Sequence, residues 1–167
     1  MIMGRSGSGK STFAYKLHQL TKLPLYHLDK FFFTDNWIER NYQEFLNIQY
    51  SIVQQEQWII DGNSTKSFEL RYKQADLCIY FNFPRYLCFW RVFKRLFCKD
   101  FRIKDRAANC PEKISWSLLK YMWGFEKRVD IILANLKKNY PQVDFVEVQS
   151  DSELIKLLNT WGFTKQV

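Results

Sequence analysis

The chain opens with MIMGRSGSGKST (residues 1–12), and the spacing within this stretch decides the fold. The phosphate-binding-loop pattern G-x-x-x-x-G-K-[ST] is matched by Gly4, Gly9, Lys10 and Ser11. Three apolar residues precede the loop, as the end of a strand would. Apolar residues then recur at helical spacing until Leu23-Pro24 ends the pattern. A strand, a glycine-rich loop and a helix in this order predict a site for nucleotide phosphates.

The loop residues have the chemistry that such a site needs. Glycines lack a Cβ, so successive N–H groups can turn inward around phosphate oxygens, and a helix N-terminus adds its positive dipole end. Lys10 is expected to reach the terminal phosphates, and the Ser11 hydroxyl suits Mg²⁺. The alternative is a flexible loop before a capped helix. We predict ATP binding by Gly4, Arg5, Ser6, Gly7, Ser8, Gly9, Lys10, Ser11 and Thr12.

Length and composition predict one globular domain over residues 1–167, with 47% hydrophobic and 18% aromatic residues. No stretch reaches 18 uncharged apolar residues, so neither a transmembrane helix nor a membrane partner is expected. The glycine-rich loop occupies the place of a cleavable signal, which predicts a cytoplasmic protein. The four cysteines form no C-x-x-C pair and are expected to be reduced thiols.

Apolar runs separated by helical patterns predict an α/β protein, a P-loop NTPase with three α/β/α layers and a mainly parallel five-stranded sheet. The predicted strands are residues 1–3, 25–29, 57–63, 76–84 and 143–148. The predicted helices are residues 10–22, 41–53, one beginning at 85, one from Cys110 to about Lys138 with an irregularity at Gly124, and 150–160. Capping boxes open two of them, Asn41-x-x-Glu44 and Ser150-x-x-Glu153.

Two acidic residues close predicted strands: Asp29 ends the second, and Asp61 ends the apolar run WIID of the third. Ligands of open α/β sheets bind at the carboxyl ends of the strands, so Asp29 and Asp61 are candidate site residues. Asp61 is predicted to hold a Mg²⁺ water, and Asp29 to orient an acceptor hydroxyl or a metal water. The structural alternative for each is a helix cap or a turn.

The net charge of +8 is concentrated between residues 85 and 106, where eight basic and two acidic residues give +6. Arg91 and Arg95 share one helical face, and Arg102 and Arg106 follow in a stretch without periodicity. The cluster has three interpretations: a lid that places guanidinium groups on transferring phosphates, a nucleic-acid surface, or a solvated basic face. The glycine-rich loop favours the lid.

In the order of its motifs, the chain resembles the adenylate-kinase-like branch of P-loop proteins and, within it, the bacterial DNA topology modulation protein family. The stretches that carry the resemblance are GRSGSGKST, HLDKFFF, WIIDGN, FNFPRYLCFWRVFKR and FRIKDRAANCPEKISW. The resemblance implies an ATP site at residues 4–12, an acceptor-binding segment across about residues 29–60 and a short lid near residues 96–111. It also implies a phosphate clamp formed by Arg91, Arg95, Arg102, Arg106 and Arg128.

Two departures from typical adenylate kinases weaken the case for AMP as the acceptor. Asn63 follows the Asp-Gly of the third strand in place of Phe-Pro-Arg, and the lid lacks zinc-binding cysteines. The predicted function is an ATP-dependent phosphotransferase, a kinase acting on a small nucleoside- or nucleotide-like acceptor. The alternative is an ATP-binding regulatory protein that influences DNA topology without phosphorylating a metabolite. The sequence leaves open the acceptor, the choice of ATP or GTP, a direct role of DNA and the oligomeric state.

Overall fold

A five-stranded parallel sheet forms the centre of the computed structural model, which describes residues 1–97, 105, 107, 109–110 and 114–163. The strands are β1 (Ile2–Gly4), β2 (Leu25–His27), β3 (Ile59–Asp61), β4 (Leu77–Phe81) and β5 (Asp144–Val148). Their order across the sheet is β2-β3-β1-β4-β5, and each neighbouring pair is parallel. The predicted sheet is confirmed, with β1 at its centre.

Eight α-helices connect and follow these strands in the described part of the chain. They are α1 (Lys10–Thr21), α2 (Leu28–Phe32), α3 (Tyr42–Val53), α4 (Phe68–Tyr72), α5 (Arg85–Lys94), α6 (Trp116–Trp123), α7 (Phe125–Asn139) and α8 (Asp151–Thr160). Both predicted caps are present. The Asn41 side chain accepts hydrogen bonds at the start of α3, and Ser150 accepts one at the start of α8. None of the helices in the described ranges is long and apolar enough to cross a bilayer.

Alternate residues of the central strands face opposite sides of the sheet, as strand geometry requires. Met3 and Tyr80 belong to a buried cluster that includes residues of α4 and α7. Ile2 and Ile79 belong to the other, which includes residues of α1, α5 and α8. The sheet is therefore covered by helices on both faces, which confirms the three predicted layers. The candidate site lies at the edge of the sheet where the carboxyl ends of the strands meet.

Among the predicted boundaries, the end of the second strand and the start of the fourth helix are wrong. The second strand ends at His27, and Asp29 lies in the first turn of α2. The helix expected from Cys110 begins only at Trp116, because the Ser115 hydroxyl accepts a hydrogen bond from the N–H of Leu118 and so caps it there. The predicted irregularity at Gly124 is confirmed, because α6 ends and α7 begins there. Pro111 and Glu112, whose proline and acidic side chain suggested the earlier helix start, lie outside the described residues.

Candidate active site

The glycine-rich loop between β1 and α1 can be built only with glycine at two tightly packed positions. Gly4 has φ 151°, and a Cβ there would lie 2.5 Å from the Cβ of Phe81. Gly7 has φ 81°, and its Cβ would collide with the carbonyl oxygen of Cys88 and lie 2.8 Å from Val92 Cγ2. These φ values belong to the region that favours glycine. The loop therefore rests directly on the end of β4 and on the backbone of α5.

The loop leads into α1 through Gly9, which has φ 93° and cannot cap the helix because it has no side chain. The first turn of α1, all of whose residues are described, contains no acidic residue. The first N–H groups of a helix have no intrahelical acceptor, and they carry the positive end of the helix dipole. The start of α1 is therefore suited to an anion such as a phosphate.

Arg5 contributes to this loop differently from its neighbours. Its side chain is buried, donates from Nε to the Met122 carbonyl at 2.9 Å, and pairs through Nη2 with Glu126 Oε1 at 3.2 Å. Burial alone would raise the pKa of Glu126, but hydrogen bonds from Arg85 and Arg5 lower it, so the carboxylate is ionised. The Arg5 side chain thus fastens the loop to α6 and α7, and only its backbone is left to contact a phosphate.

Asp61 ends β3 beside the loop, and its side chain is buried. Its Oδ2 lies 2.9 Å from Nδ1 of His27, the paired residue at the end of β2. Its Oδ1 is buried and has no hydrogen-bond partner among the described residues. Burial alone would raise the pKa of Asp61. The positive charge of Lys10 and the interactions with His27 and with the Ser11 hydroxyl lower this pKa, and they outweigh burial. An ionised carboxylate with one open oxygen fits a Mg²⁺ site, and Ser11 and Asp61 are the residues that would hold the ion.

Asp29 is exposed in the first turn of α2, and Arg128 is exposed on α7. Arg128 donates from Nη2 to the Tyr121 carbonyl at 2.6 Å, and its guanidinium lies 4.5 Å from the centre of the Tyr121 ring. Burial raises the pKa of Tyr121 to about 12, with Asp29 adding to the rise and Arg128 opposing it. The Arg128 guanidinium therefore lies on the Tyr121 ring, and Asp29 acts on the phenol through its charge.

Arg91 reaches the glycine-rich loop from α5. Its Nη1 donates to the Ser8 carbonyl at 3.1 Å, and its Nη2 donates to Asp151 Oδ2 at 2.5 Å. The guanidinium thus holds a loop carbonyl and a residue of α8 in this structure. Arg95 directly follows the last residue of α5. Arg102 and Arg106, together with most of the predicted lid, lie outside the described residues.

A wide groove of about 570 Å³ lies within the predicted acceptor-binding segment. Two cationic side chains, Lys30 and Arg40, face it together with apolar groups and one acid. The remaining lining residues are Phe33, Thr34, Asp35, Ile38 and Ala107.

Sequence reasoning missed three residues of this site. His27 is the partner of Asp61, and the pair follows from the register of β2 and β3, which was hidden because the second strand was predicted to end at Asp29. Asn63 hydrogen-bonds to Gly4. Arg71, on α4, is fully buried and donates to three backbone carbonyls in the segment that follows β3. No local pattern in the sequence distinguishes Arg71 from an ordinary surface arginine.

Comparison with solved structures supports the fold. Shikimate kinase from Acinetobacter baumannii in complex with shikimate superposes with a TM-score of 0.59 at 15% identity, over 99% of this chain and 93% of that one. A protein of Eubacterium ventriosum ATCC 27560, itself called uncharacterized, superposes with a TM-score of 0.52 at 14% identity, over 99% and 97%. No protein-family model and no curated protein matches the chain. The chain therefore has a P-loop α/β fold of the kind seen in shikimate kinase, and membership of the topology modulation family stays a prediction.

Proposed function

We propose that this chain is a phosphotransferase that moves the γ-phosphate of ATP to a small acceptor. One observation carries the proposal: Asp61 ends β3 next to β1 and against α1, where the glycine-rich loop leads to Lys10 and Ser11, and its buried Oδ1 has no hydrogen-bond partner among the described residues. Lys10 would neutralise phosphate charge, and Ser11 and Asp61 would hold Mg²⁺. The ion, when bound, supplies further neutralisation of the phosphate oxygens.

In the proposed reaction, an acceptor hydroxyl oxygen bonds to the γ-phosphorus, the bond from that phosphorus to the bridging oxygen breaks, and ADP leaves. Asp29 is proposed to orient the acceptor hydroxyl and take its proton. The groove beside Lys30 and Arg40 is proposed to hold the acceptor. Arg40 is paired with Glu44, so Lys30 is the cation that favours an acceptor with negative charge, as a nucleotide has. A carboxylate or phosphate on the acceptor would meet these requirements equally.

The proposed phosphate clamp consists of Arg91, Arg95, Arg102, Arg106 and Arg128. For Arg91 this role requires a change of partner, because its guanidinium now holds Asp151 and the Ser8 carbonyl. The same contact bears on the alternative function, an ATP-binding regulator that acts on DNA. Arg85 is paired with Glu126 and Arg91 with Asp151, so part of the basic stretch is already neutralised within the protein. This internal pairing favours the phosphotransferase.

The proposal is tested by calorimetric titration of Mg-ATP into the protein and into Lys10→Ala. A charged hydrogen bond of this kind contributes roughly 1.5–3 kcal/mol, so the dissociation constant should rise about 10- to 150-fold. Lys16→Ala is the matched control, because Lys16 is an exposed lysine of the same helix. Equal affinity in Lys10→Ala and wild type would refute the phosphate site. ADP release that requires DNA, and no small acceptor, would favour the regulatory alternative.

A further inference from the structure

The segment that follows β3 joins the proposed metal carboxylate to the glycine-rich loop. We propose that Asn63 is a positioning residue that fixes the first loop residue, Gly4, relative to Asp61, and that Arg71 holds Asn63 in place. The inference rests on the proposed function, because it concerns how the phosphate and metal sites are held together.

The Asn63 carboxamide pairs with both backbone polar groups of Gly4. Its Nδ2 donates to the Gly4 carbonyl at 2.5 Å, and its Oδ1 accepts from the Gly4 N–H at 3.1 Å. Backbone pairing between β1 and β3 ends just before this point, with the Gly62 N–H donating to the Ile2 carbonyl at 3.2 Å. The Asn63 side chain therefore continues the pairing of the two strands by one residue after the backbone of β3 has turned away.

Gly4 has little freedom to move away from this contact, since it lies against Phe81 on its other side. The pairing also uses the Gly4 N–H, which leaves the phosphate contacts to later residues of the loop. Asp61 is two residues before Asn63 in the chain. One side chain thus sets the separation between the carboxylate proposed for Mg²⁺ and the start of the phosphate loop.

Arg71 fixes the backbone on both sides of Asn63. Its Nη1 donates to the Gly62 carbonyl at 3.1 Å and its Nη2 to the Ser64 carbonyl at 2.8 Å. A planar guanidinium holds two such oxygens in a fixed relation, which a lysine ammonium does not. The Tyr121 hydroxyl donates to the carbonyl between them, that of Asn63, at 3.4 Å. All three consecutive carbonyls of the segment are therefore held by side chains.

The burial of Arg71 shows how strongly this arrangement is specified. The side chain is fully buried, and no carboxylate of the described residues lies within ion-pairing distance of it. Burial is the largest cause that lowers the pKa of Arg71 to about 10, and the charge of Asp61 opposes it. A buried cation is costly unless its hydrogen bonds are made. Here they are made to the segment that carries Asn63.

The test compares the affinity for ADP with and without Mg²⁺ in wild type and Asn63→Asp. The substitution keeps the shape and the Oδ1 acceptor but replaces the donor to the Gly4 carbonyl with a second oxygen. We expect the Mg²⁺-dependent gain in ADP affinity to fall about tenfold or more, because small misplacements of positioned groups have effects of that size. A purely structural residue would lower stability without changing this gain.

Asn82→Asp is the matched control, because Asn82 directly follows β4 and its amide contacts Glu147 rather than the loop. Arg71→Lys keeps the positive charge but loses the planar guanidinium that holds two carbonyls, and it should also reduce the Mg²⁺-dependent gain in ADP affinity. In the double variant the two effects should not add, since both act through Asn63. If Asn63→Asp does not fold, the Arg71→Lys measurement decides the matter in the same way.

If Asn63→Asp or Arg71→Lys shows the same Mg²⁺-dependent gain in ADP affinity as wild type, the inference is overturned and the proposed function still stands. Failure of the wild-type protein to bind ADP, with or without Mg²⁺, overturns the proposed function itself. The two failures are therefore distinguishable in one set of titrations.

Discussion

Substitution of Gly7 by alanine tests whether the phosphate loop depends on its seat against α5. The backbone has φ 81°, and a left-handed conformation costs an alanine roughly 1–2 kcal/mol. The added Cβ would also collide with the Cys88 carbonyl and lie 2.8 Å from Val92 Cγ2. Overpacking of this kind typically adds about 1–3 kcal/mol. We expect Gly7→Ala to lower the free energy of unfolding by about 2–5 kcal/mol.

Gly162→Ala separates the two contributions. Gly162 has nearly the same conformation, φ 83°, and no atom of the described residues lies within 4 Å of the position that its Cβ would take. It should therefore show only the conformational cost of about 1–2 kcal/mol. Both variants are compared with wild type by urea unfolding followed by far-ultraviolet circular dichroism. If Gly7→Ala is destabilised no more than Gly162→Ala, the loop does not pack on α5 as described.

Two further predictions concern charged side chains near the loop. The folded state lowers the pKa of Asp61 below its usual value, so its ionised form stabilises the protein above about pH 4. That contribution is lost as the pH falls through the folded-state pKa. Without metal, the stability difference between wild type and Asp61→Asn should therefore shrink in acid, and a pH-independent difference in urea midpoint would contradict this. Asp151→Asn should free Arg91 for phosphate. The Arg91–Asp151 ion pair is exposed, and such a pair is worth about 0.2–1 kcal/mol, so calorimetry should show ATP affinity raised up to about fivefold. A lowered affinity would instead identify Arg91 as a support of the loop.

The sequence predicted those features that depend on neighbouring residues. The phosphate-loop pattern, the apolar runs of β4 and β5, and the caps at Asn41 and Ser150 are all local signals, and the structure bears out these strands and caps. The end of β2 was wrong because Leu28 and Asp29 suit either a strand end or the first turn of a helix. The start of α6 was wrong because two competing start signals, Pro111 and Ser115, lie close together in the sequence.

The contacts that organise the site join residues that are far apart in the sequence. Asn63 and Gly4 are separated by 59 residues, and His27 and Asp61 by 34. Such pairs follow from strand order and register, which hydrophobic patterns do not specify. The side chain of Arg5 illustrates the same limit. Its position in the loop pattern indicates a phosphate contact, whereas its ion pair with Glu126 depends on where α7 packs.

The central position of β1 has a consequence for the order of folding. The first strand of the chain pairs with β3 on one side and β4 on the other, so it has no sheet partner until residues far along the chain have been synthesised. The turn at Gly7 additionally needs Cys88 and Val92 of α5 beneath it. Residues 4–12 are synthesised before β3, β4 and α5, yet they acquire their shape only when these later elements have followed. Because such non-local contacts require long loops to close, we expect the proposed nucleotide site to form late in folding.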